Sequence, residues 1–235
     1  MFNHPHHQKI HLILDSLNPS LFLEVGAFFG GGTLITLLHD EYRWSKDVDF
    51  MCPVGPGYRR LREIVGEHNC KPKMFFQKTK SLEFPRDLIT NQYGIRFLVI
   101  ADKQPIKFEI VAEARINLDP PDSFEWTQLP CLSKIDRYAE KLLANADRWI
   151  DESIESRDLI DLAILRLNSE IPKLAIEKAE SAYPVMNPLN RALQKFQGSK
   201  AYQNKCFTAL QIENPKRVLE GIKLLAADYC PATAI

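Results

Sequence analysis

Residues 30–50 read GGGTLITLLHDEYRWSKDVDF, a glycine run followed by two acids that stand one residue apart. Strand side chains alternate between faces, so Asp47 and Asp49 would share one face of a strand. Val48 and Phe50 would then point the other way, into a core. Two carboxylates side by side repel each other and require a cation between them. Because hard oxygen ligands of this kind suit Mg²⁺, the acids predict a strand that carries a divalent cation.

The glycine run supplies the second part of the predicted site. Gly31 and Gly32 can bring backbone N–H groups close to an anion. The apolar residues after Thr33 predict a helix whose positive N-terminal end lies at the glycines. Mg²⁺ in proteins is commonly bound through carboxylates together with substrate phosphates. The glycines and the acids together therefore predict a site for a nucleoside triphosphate (NTP).

Each part of this pattern also has a simpler interpretation. Three glycines before a helix are often only a tight turn. An Asp-x-Asp pair that stands alone is usually a solvated strand edge. The two features occur here at a spacing that one short helix can bridge, and this combination favours the site over either simpler interpretation.

Three further polar residues are candidates for the same site. Arg43 and Ser45 have the parity of Asp47 and Asp49 if the strand starts early, so they could reach the same anion. The alternative is a polar turn that enters the strand. Glu109 lies between two apolar residues of another predicted strand and would serve as the third carboxylate of a metal site. The alternative is an ordinary polar strand face.

Composition limits the classes of protein that fit. The chain has 235 residues, which allows one large domain or two small ones, and 45% of them are apolar, enough for a sizeable core. Lys plus Arg equals Asp plus Glu at 30 each, so extended binding to a nucleic-acid duplex is not indicated, although a local basic cleft remains open. Five scattered cysteines indicate reduced thiols in a cytoplasmic protein. The N-terminal apolar run is too short for a membrane span or an export signal.

The pattern along the chain changes from mixed to helical. Residues 95–100 and 106–111 predict a β-hairpin. Residues 117–130 contain three prolines and little periodicity, which makes them the best candidate for a domain boundary. Beyond them, a capping-box-like start at Ser133 and apolar helical spacing predict successive helices. The chain therefore divides into a mixed α/β half and an all-α half.

Several histidines lie close to the N-terminus: His4, His6, His7 and His11. They could form a metal cluster. Because no acidic or cysteine partner lies nearby in the sequence, we interpret them as part of a flexible polar segment that precedes a short helix over residues 8–17.

Six motifs occur in a fixed order between residues 31 and 162: Gly31-Gly32-Thr33, Arg43-x-Ser45-x-Asp47-Val48-Asp49-Phe50, Phe108-Glu109-Ile110, Ser133, Lys141-Leu142-x-Ala144 with Arg148, and Arg157-Asp158-Leu159-x-Asp161-Leu162. Together they resemble the AbiEii-like abortive-infection toxins, a family of nucleotidyltransferases in the polymerase-β-like superfamily. Each motif is weak alone, and their order makes the resemblance fairly specific. The fourteen residues between Gly32 and Asp47 are at or just past the long end for that superfamily.

The resemblance implies an α+β fold, in which a small mixed twisted sheet with flanking helices precedes a C-terminal helical bundle. We expect a nucleotidyltransferase domain over residues 1–125 and a helical bundle domain over residues 126–235. The implied reaction moves a nucleoside monophosphate from an NTP to an acceptor hydroxyl and releases pyrophosphate. Two Mg²⁺ ions held by Asp47, Asp49 and Glu109 would activate the attacking oxygen and stabilise the leaving one.

The resemblance also implies roles for residues of both halves. Gly31, Gly32 and Thr33 would hold the triphosphate. Lys141 would pair with the triphosphate from the helical half, and Asp158 would orient Lys141 or the acceptor. The alternative for Lys141 and Asp158 is a surface helix pair, which contributes little to stability.

The acceptor and the partners are less specified. The family implies RNA, with the tRNA 3′ end as one possibility, or a protein as acceptor, and a cognate antitoxin. The neutral net charge weakens the case for RNA. A second hypothesis is a catalytically weak module that uses the same fold to hold a nucleotide or a partner protein. A third, a purely structural helical adaptor, leaves the motifs of the first half unexplained.

Overall fold

The computed structural model describes residues 2–230, which form two compact units. The first unit comprises Met1–Leu37 and Ser45–Ser133, and the second comprises Leu38–Trp44 and Lys134–Ile235. The chain therefore leaves the first unit after the glycine run and returns to it just before the acids. The seven residues spent in the second unit are half of the fourteen that separate Gly32 from Asp47.

These units differ from the domain bounds 1–125 and 126–235 in two respects. The main division falls between Ser133 and Lys134, because two strands beyond residue 121 continue the sheet of the first unit. The proline-containing stretch is therefore partly strand and not only a linker. The second difference is the excursion of residues 38–44 into the helical unit.

The first unit is a mixed β-sheet with flanking helices. Its strands are β1 (Phe28–Phe29), β2 (Val48–Pro53), β3 (Leu82–Glu83), β4 (Ile89–Asn91), β5 (Gly94–Ala101), β6 (Gln104–Glu113), β7 (Asp122–Phe124) and β8 (Thr127–Cys131). Its helices are α1 (Pro5–Ser16), α2 (Pro19–Val25), α3 (Gly31–Leu38, whose last residue is assigned to the second unit) and α4 (Pro56–Glu67), with a 3₁₀ turn at Pro72–Phe75.

The strands lie in the order β3-β5-β6-β2-β1-β8-β7, with β4 beside β5. The pairs β2–β6 and β1–β8 are parallel and the others are antiparallel. The predicted hairpin is confirmed as β5 and β6. Asp102 and Lys103 make its two-residue turn with φ of 47° and 60°, the left-handed conformation that matches strand twist in such turns. An α+β fold is therefore confirmed.

The core of the first unit lies on one face of the central strands. Along β2 the residues alternate between buried and half-buried, and Val48, Phe50 and Cys52 are fully buried. The ring of Phe108 stacks on Phe50 and on Phe97, with centroid distances of 5.4 and 4.5 Å. Full burial of such a side chain is worth about 1.5–3 kcal/mol. The opposite face of β2 is left for Asp49.

The N-terminal segment is helical from Pro5, so the expected non-helical polar segment before residue 8 is wrong for residues 5–7. Helix α1 starts at Pro5, three residues before the predicted helix, because proline suits the first helical position. The Nδ1 atom of His4 accepts a hydrogen bond from the backbone N–H of His6 at 3.2 Å and caps the helix. The side chain of His7 is fully buried.

The second unit is a bundle of helices. They are α5 (Lys134–Arg148), α6 (Arg157–Asn168), α7 (Lys173–Glu180), α8 (Met186–Gln197), α9 (Lys200–Ala209) and α10 (Pro215–Tyr229), with a 3₁₀ turn at Glu152–Ile154. Helices α6 and α10 approach closely at Gly221, where a Cβ atom would lie 2.1 Å from the carbonyl oxygen of Ala163. Among residues 2–230, no helix combines the length and the apolar character needed to cross a membrane.

Candidate active site

Two of the predicted acids lie side by side on neighbouring strands. In the parallel pairing of β2 and β6, Asp49 and Glu109 are register partners, so their side chains project from the same face of the sheet. Asp47 directly precedes β2. The sheet therefore brings Asp49 and Glu109 together, although they are 60 residues apart in the sequence (109 − 49).

The glycine run meets the acids through its backbone. The N–H of Gly30 donates to the carbonyl oxygen of Asp49 at 2.9 Å. Gly31, the first residue of α3, has φ of 66°, and a Cβ atom there would lie 2.8 Å from Oδ2 of Asp49. Both the backbone conformation and the contact require glycine at this position. The N-terminus of α3 thus lies directly against a carboxylate of the predicted metal site.

The hydroxyl groups of Thr33 and Ser45 form hydrogen bonds to each other and to the protein backbone. The Thr33 hydroxyl donates to the carbonyl oxygen of Asp47 at 2.6 Å, and its oxygen lies 2.7 Å from the Ser45 hydroxyl. Thr33 is 1% exposed and Ser45 is 6% exposed. These side chains brace the segment that carries Asp47. Their proposed part in binding a nucleotide stays a prediction.

Two cationic side chains donate hydrogen bonds to the carboxylate of Glu109. Its carboxylate accepts a hydrogen bond from Nε of Arg96 on β5 and another from Nζ of Lys107 at 2.5 Å. Burial raises the pKa of Glu109, but the bonds from Lys107 and Arg96 outweigh it and hold that pKa below the usual range. Arg96 and Lys107 are themselves about half exposed, at 47% and 46%.

The three acids do not form a closed metal cage in this structure. Within residues 2–230, no group of three or more His, Cys, Asp or Glu side chains is placed to hold a metal ion. Both oxygens of Glu109 bond to cations. The donor set itself, the carboxylates of Asp49 and Glu109 on one sheet face, is of the hard oxygen type that suits Mg²⁺. To join such a site, Glu109 would exchange a cationic partner for the ion.

Arg43 belongs to the second unit and is held there by Asp161. Its Nε and its terminal nitrogen Nη2 donate to the two oxygens of Asp161 at 2.6 and 3.0 Å, a bidentate pair. The hydroxyl of Tyr42 donates to the same carboxylate. The predicted parity with Asp47 does not apply, because the strand begins at Val48 and not at residue 43. Burial lowers the pKa of Arg43, but Asp161 more than offsets this and raises it.

The predicted contact between Lys141 and Asp158 is present. The ammonium Nζ of Lys141 lies 2.9 Å from Oδ1 of Asp158 and 2.7 Å from Oδ2 of Asp161. Arg148 adds a second cation to Asp158, with Nε 2.6 Å from Oδ2. Lys141 is 5% exposed and Asp158 is 3% exposed. The alternative of a surface helix pair is therefore wrong.

These contacts form one buried network in the second unit, which we call the α5–α6 charge network and which contains Arg43, Lys141, Arg148, Asp158 and Asp161. In this network three cations face two carboxylates. Burial raises the pKa of Asp158 and of Asp161, but the cations beside them outweigh burial and hold both pKa values below the usual range. The motifs alone give no role for Asp161, although its place one turn after Asp158 in an apolar helix is a usable signal.

Comparison with known families places this geometry in context. A family model described as nucleotidyl transferase AbiEii toxin, type IV toxin–antitoxin system, matches residues 13–205, which include every predicted site residue. The chain belongs to the AbiEii nucleotidyltransferase toxin family. The resemblance drawn from the short motifs is therefore confirmed, and the chain is a nucleotidyltransferase.

One solved structure agrees with the fold. A crystal structure from H. pylori, of a protein proposed to be a nucleotidyltransferase, is 14% identical over 96% of the AbiEii chain and 93% of its own, with a TM-score of 0.53. A second H. pylori structure, of JHP933, is 15% identical over 98% of this chain and 94% of its own, with a TM-score of 0.48, which is too low to support an argument. No curated protein matches the sequence significantly.

Proposed function

We propose that this AbiEii nucleotidyltransferase moves a nucleoside monophosphate from a Mg²⁺-bound NTP to an acceptor hydroxyl, with the first-unit acids as its reaction centre. The observation that carries the proposal is the placement of the Asp49 carboxylate. It lies against Gly31 at the N-terminus of α3 and beside Glu109 in the sheet. A helix N-terminus with glycine backbone attracts phosphate, and carboxylates attract the cation that accompanies it.

The reaction forms a bond from the acceptor oxygen to the α-phosphorus and breaks the bond from that phosphorus to the oxygen that leaves with pyrophosphate. Asp47, Asp49 and Glu109 would hold Mg²⁺, which when bound neutralises phosphate charge and lowers the pKa of the attacking group. The backbone N–H groups of Gly31 and Gly32 would donate to phosphate oxygens. Positioning and charge neutralisation of this kind account for most of the catalysis in phosphoryl-type transfer.

We propose an RNA hydroxyl as the acceptor. Arg96 and Lys107 stand beside Glu109 on the strand face of the acids and are about half exposed. Exposed cations at this place suit the phosphates of an RNA end, since phosphate contacts position a nucleic acid. A protein hydroxyl is the alternative acceptor, because the chain has no net positive charge that would favour RNA.

Two further proposals follow from family membership. We propose that the protein acts as a toxin in the cytoplasm and that a cognate antitoxin opposes it, because the family is described as a type IV toxin–antitoxin system. We also propose that Lys141, held by Asp158 and Asp161, contributes positive charge to phosphate binding.

The test is transfer of label from each of the four NTPs, labelled at the α-phosphate, to total RNA or to total protein in the presence of Mg²⁺. We expect labelled RNA with the unaltered protein and none with Asp49→Asn. This substitution keeps the shape of the side chain but removes its negative charge. Label on protein alone would identify a protein acceptor. Absence of transfer to both pools, with NTP still bound at equilibrium, would favour the weak binding module instead.

A further inference from the structure

His7 is a buried imidazole that the proposed chemistry does not use. It lies in the first turn of α1 and is fully buried. Its Nε2 accepts the backbone N–H of Ser45 at 3.1 Å, so Nε2 carries no proton in this contact and a neutral ring holds its proton on Nδ1. His7 lies outside residues 13–205, the part of the chain that the family model matches.

The partner of His7 starts a chain of hydrogen bonds that ends at Asp47. The Thr33 hydroxyl donates its single proton to the carbonyl oxygen of Asp47, at 2.6 Å. The Ser45 hydroxyl must therefore be the donor in its 2.7 Å contact with Thr33. His7 thus holds the backbone of Ser45, the Ser45 side chain bonds to Thr33, and Thr33 bonds to the backbone of Asp47; we call these three contacts the His7 relay.

A second histidine supports the same segment. Nε2 of His6 lies 3.1 Å from the carbonyl oxygen of Lys46, to which it can donate a hydrogen bond. Two consecutive residues of the first turn of α1 therefore hold Ser45 and Lys46, the two residues before Asp47. Strand β2 begins only at Val48, so these contacts act where the strand ladder has not yet started.

We propose that His7 is a positioning residue of the nucleotidyltransferase site, which fixes the Asp47 carboxylate through Ser45 and Thr33. This inference rests on the proposed function of Asp47. His7 touches no reacting atom; its effect is to hold the backbone from which a metal-binding carboxylate extends. Displacement of a reacting group by about 1 Å can cost around 100-fold in rate, so a modest shift of this segment is enough to matter.

The test compares two substitutions at His7, one that keeps a hydrogen-bond acceptor for the Ser45 N–H and one that removes it. In His7→Gln the side-chain oxygen can still accept the N–H of Ser45, whereas His7→Leu fills similar volume and offers no acceptor. We expect His7→Leu to lower kcat by about ten- to 100-fold, the range that misplacement produces, and His7→Gln to keep most of the rate. His11→Leu is the matched control, because His11 lies on the same helix and bonds to the carbonyl oxygen of Trp126, away from the relay.

Two readouts separate positioning from a general structural effect. The backbone amide hydrogen of Ser45 should exchange slowly in the unaltered protein and in His7→Gln, and quickly in His7→Leu. Binding of Mn²⁺, used as a spectroscopic probe of the metal site, should weaken in His7→Leu and not in His11→Leu. If His7→Leu does not fold, Ser45→Ala breaks the relay at its next bond. If both fold, the double variant should lose little more than the worse single one.

The outcomes distinguish this inference from the function on which it rests. An unaltered protein that transfers no label, or an active Asp47→Ala, would overturn the proposed function itself. An active protein, an inactive Asp47→Ala and a His7→Leu variant with normal kcat and fast exchange at Ser45 would overturn the role of His7 alone.

Discussion

Gly31 and Asp49 are in closer contact than any other residue at position 31 would allow. A Cβ atom on Gly31 would lie 2.8 Å from Oδ2 and 3.0 Å from Cβ of Asp49. Real Cβ atoms essentially never approach other heavy atoms below 3.0 Å, and the φ of 66° adds a second restriction. The glycine of the motif is thus tied to the position of one carboxylate and is more than a means of turning the chain.

Substitution Gly31→Ala should therefore lower the rate of transfer by about 100-fold while the protein stays folded. The added methyl group must push the Asp49 carboxylate aside, and a displacement of about 1 Å can cost around 100-fold in rate. The left-handed backbone costs a further 1–2 kcal/mol or so of stability. The measurements are label transfer and urea unfolding. Gly66→Ala is the control, since Gly66 lies in α4 and a methyl group added there would meet no atom within 4 Å, and it should gain about 0.5–1 kcal/mol with normal activity.

Asp47→Ala and Asp49→Ala should each abolish transfer. Each removes a ligand of the proposed Mg²⁺ site, and the loss of repulsion between the two carboxylates should leave stability unchanged or slightly higher. Transfer of label and thermal unfolding would be measured together. Asp102→Ala, in the exposed β5–β6 turn, should have no effect on the rate. Near-normal turnover by either site variant with Mg²⁺ present would remove both residues from the metal assignment.

Glu109→Gln should weaken metal binding and lower the rate. The amide keeps the hydrogen-bonding shape but loses the charge that Arg96 and Lys107 now share. Glu109→Asp should also be poorly tolerated, because shortening by one methylene moves the carboxylate by about 1 Å, enough to cost around 100-fold. Mn²⁺ titration followed by label transfer tests both variants. Unchanged metal affinity and rate in Glu109→Gln would make Glu109 a structural partner of the two cations only.

Lys141→Ala and Asp158→Ala should both lose activity, and the double variant should lose little more than the worse single one, because the two side chains act as one unit. NTP affinity should fall more for Lys141→Ala. Either single change also removes one member of a buried ion network, in which Lys141 keeps Asp161 and Asp158 keeps Arg148 as the remaining partner. Activity must therefore be read at a temperature where urea unfolding shows the variant to be folded. Strictly additive losses in activity would contradict a shared role.

The α5–α6 charge network should also make stability depend on pH. The folded state holds the pKa values of Asp158 and Asp161 low, so it binds fewer protons than the unfolded chain. This stabilisation is complete above the unfolded pKa, about 3.9 for aspartate, and is lost as pH falls below it. Urea unfolding at decreasing pH should show the loss, and Asp158→Asn should flatten the curve. Glu213→Gln, at an exposed position, should leave the curve as it is.

Short-range patterns predicted some contacts and not others, for physical reasons. The alternation around Asp49 and the apolar neighbours of Glu109 follow from strand geometry, which is local. The partner of Arg43 was not predictable in this way, because the chain crosses into another unit between residues 38 and 44. His7 was missed for a similar reason: a histidine in a polar N-terminal stretch shows no periodic signal, and its hydrogen-bond partner is 38 residues away.

The excursion of Leu38–Trp44 has a consequence for the covalent continuity of the molecule. Three peptide bonds, after Leu37, Trp44 and Ser133, join the two units. Proteolytic cleavage between Ser133 and Lys134 would cut only one of these three bonds. The N-terminal piece would still carry Arg43, whose guanidinium donates two hydrogen bonds to Asp161 of the C-terminal piece. The two pieces should then co-purify and reconstitute each other when expressed separately. In a chain shortened to its first 130 residues, residues 38–44 would lack the helices of their own unit, and Arg43 would lack its partner Asp161.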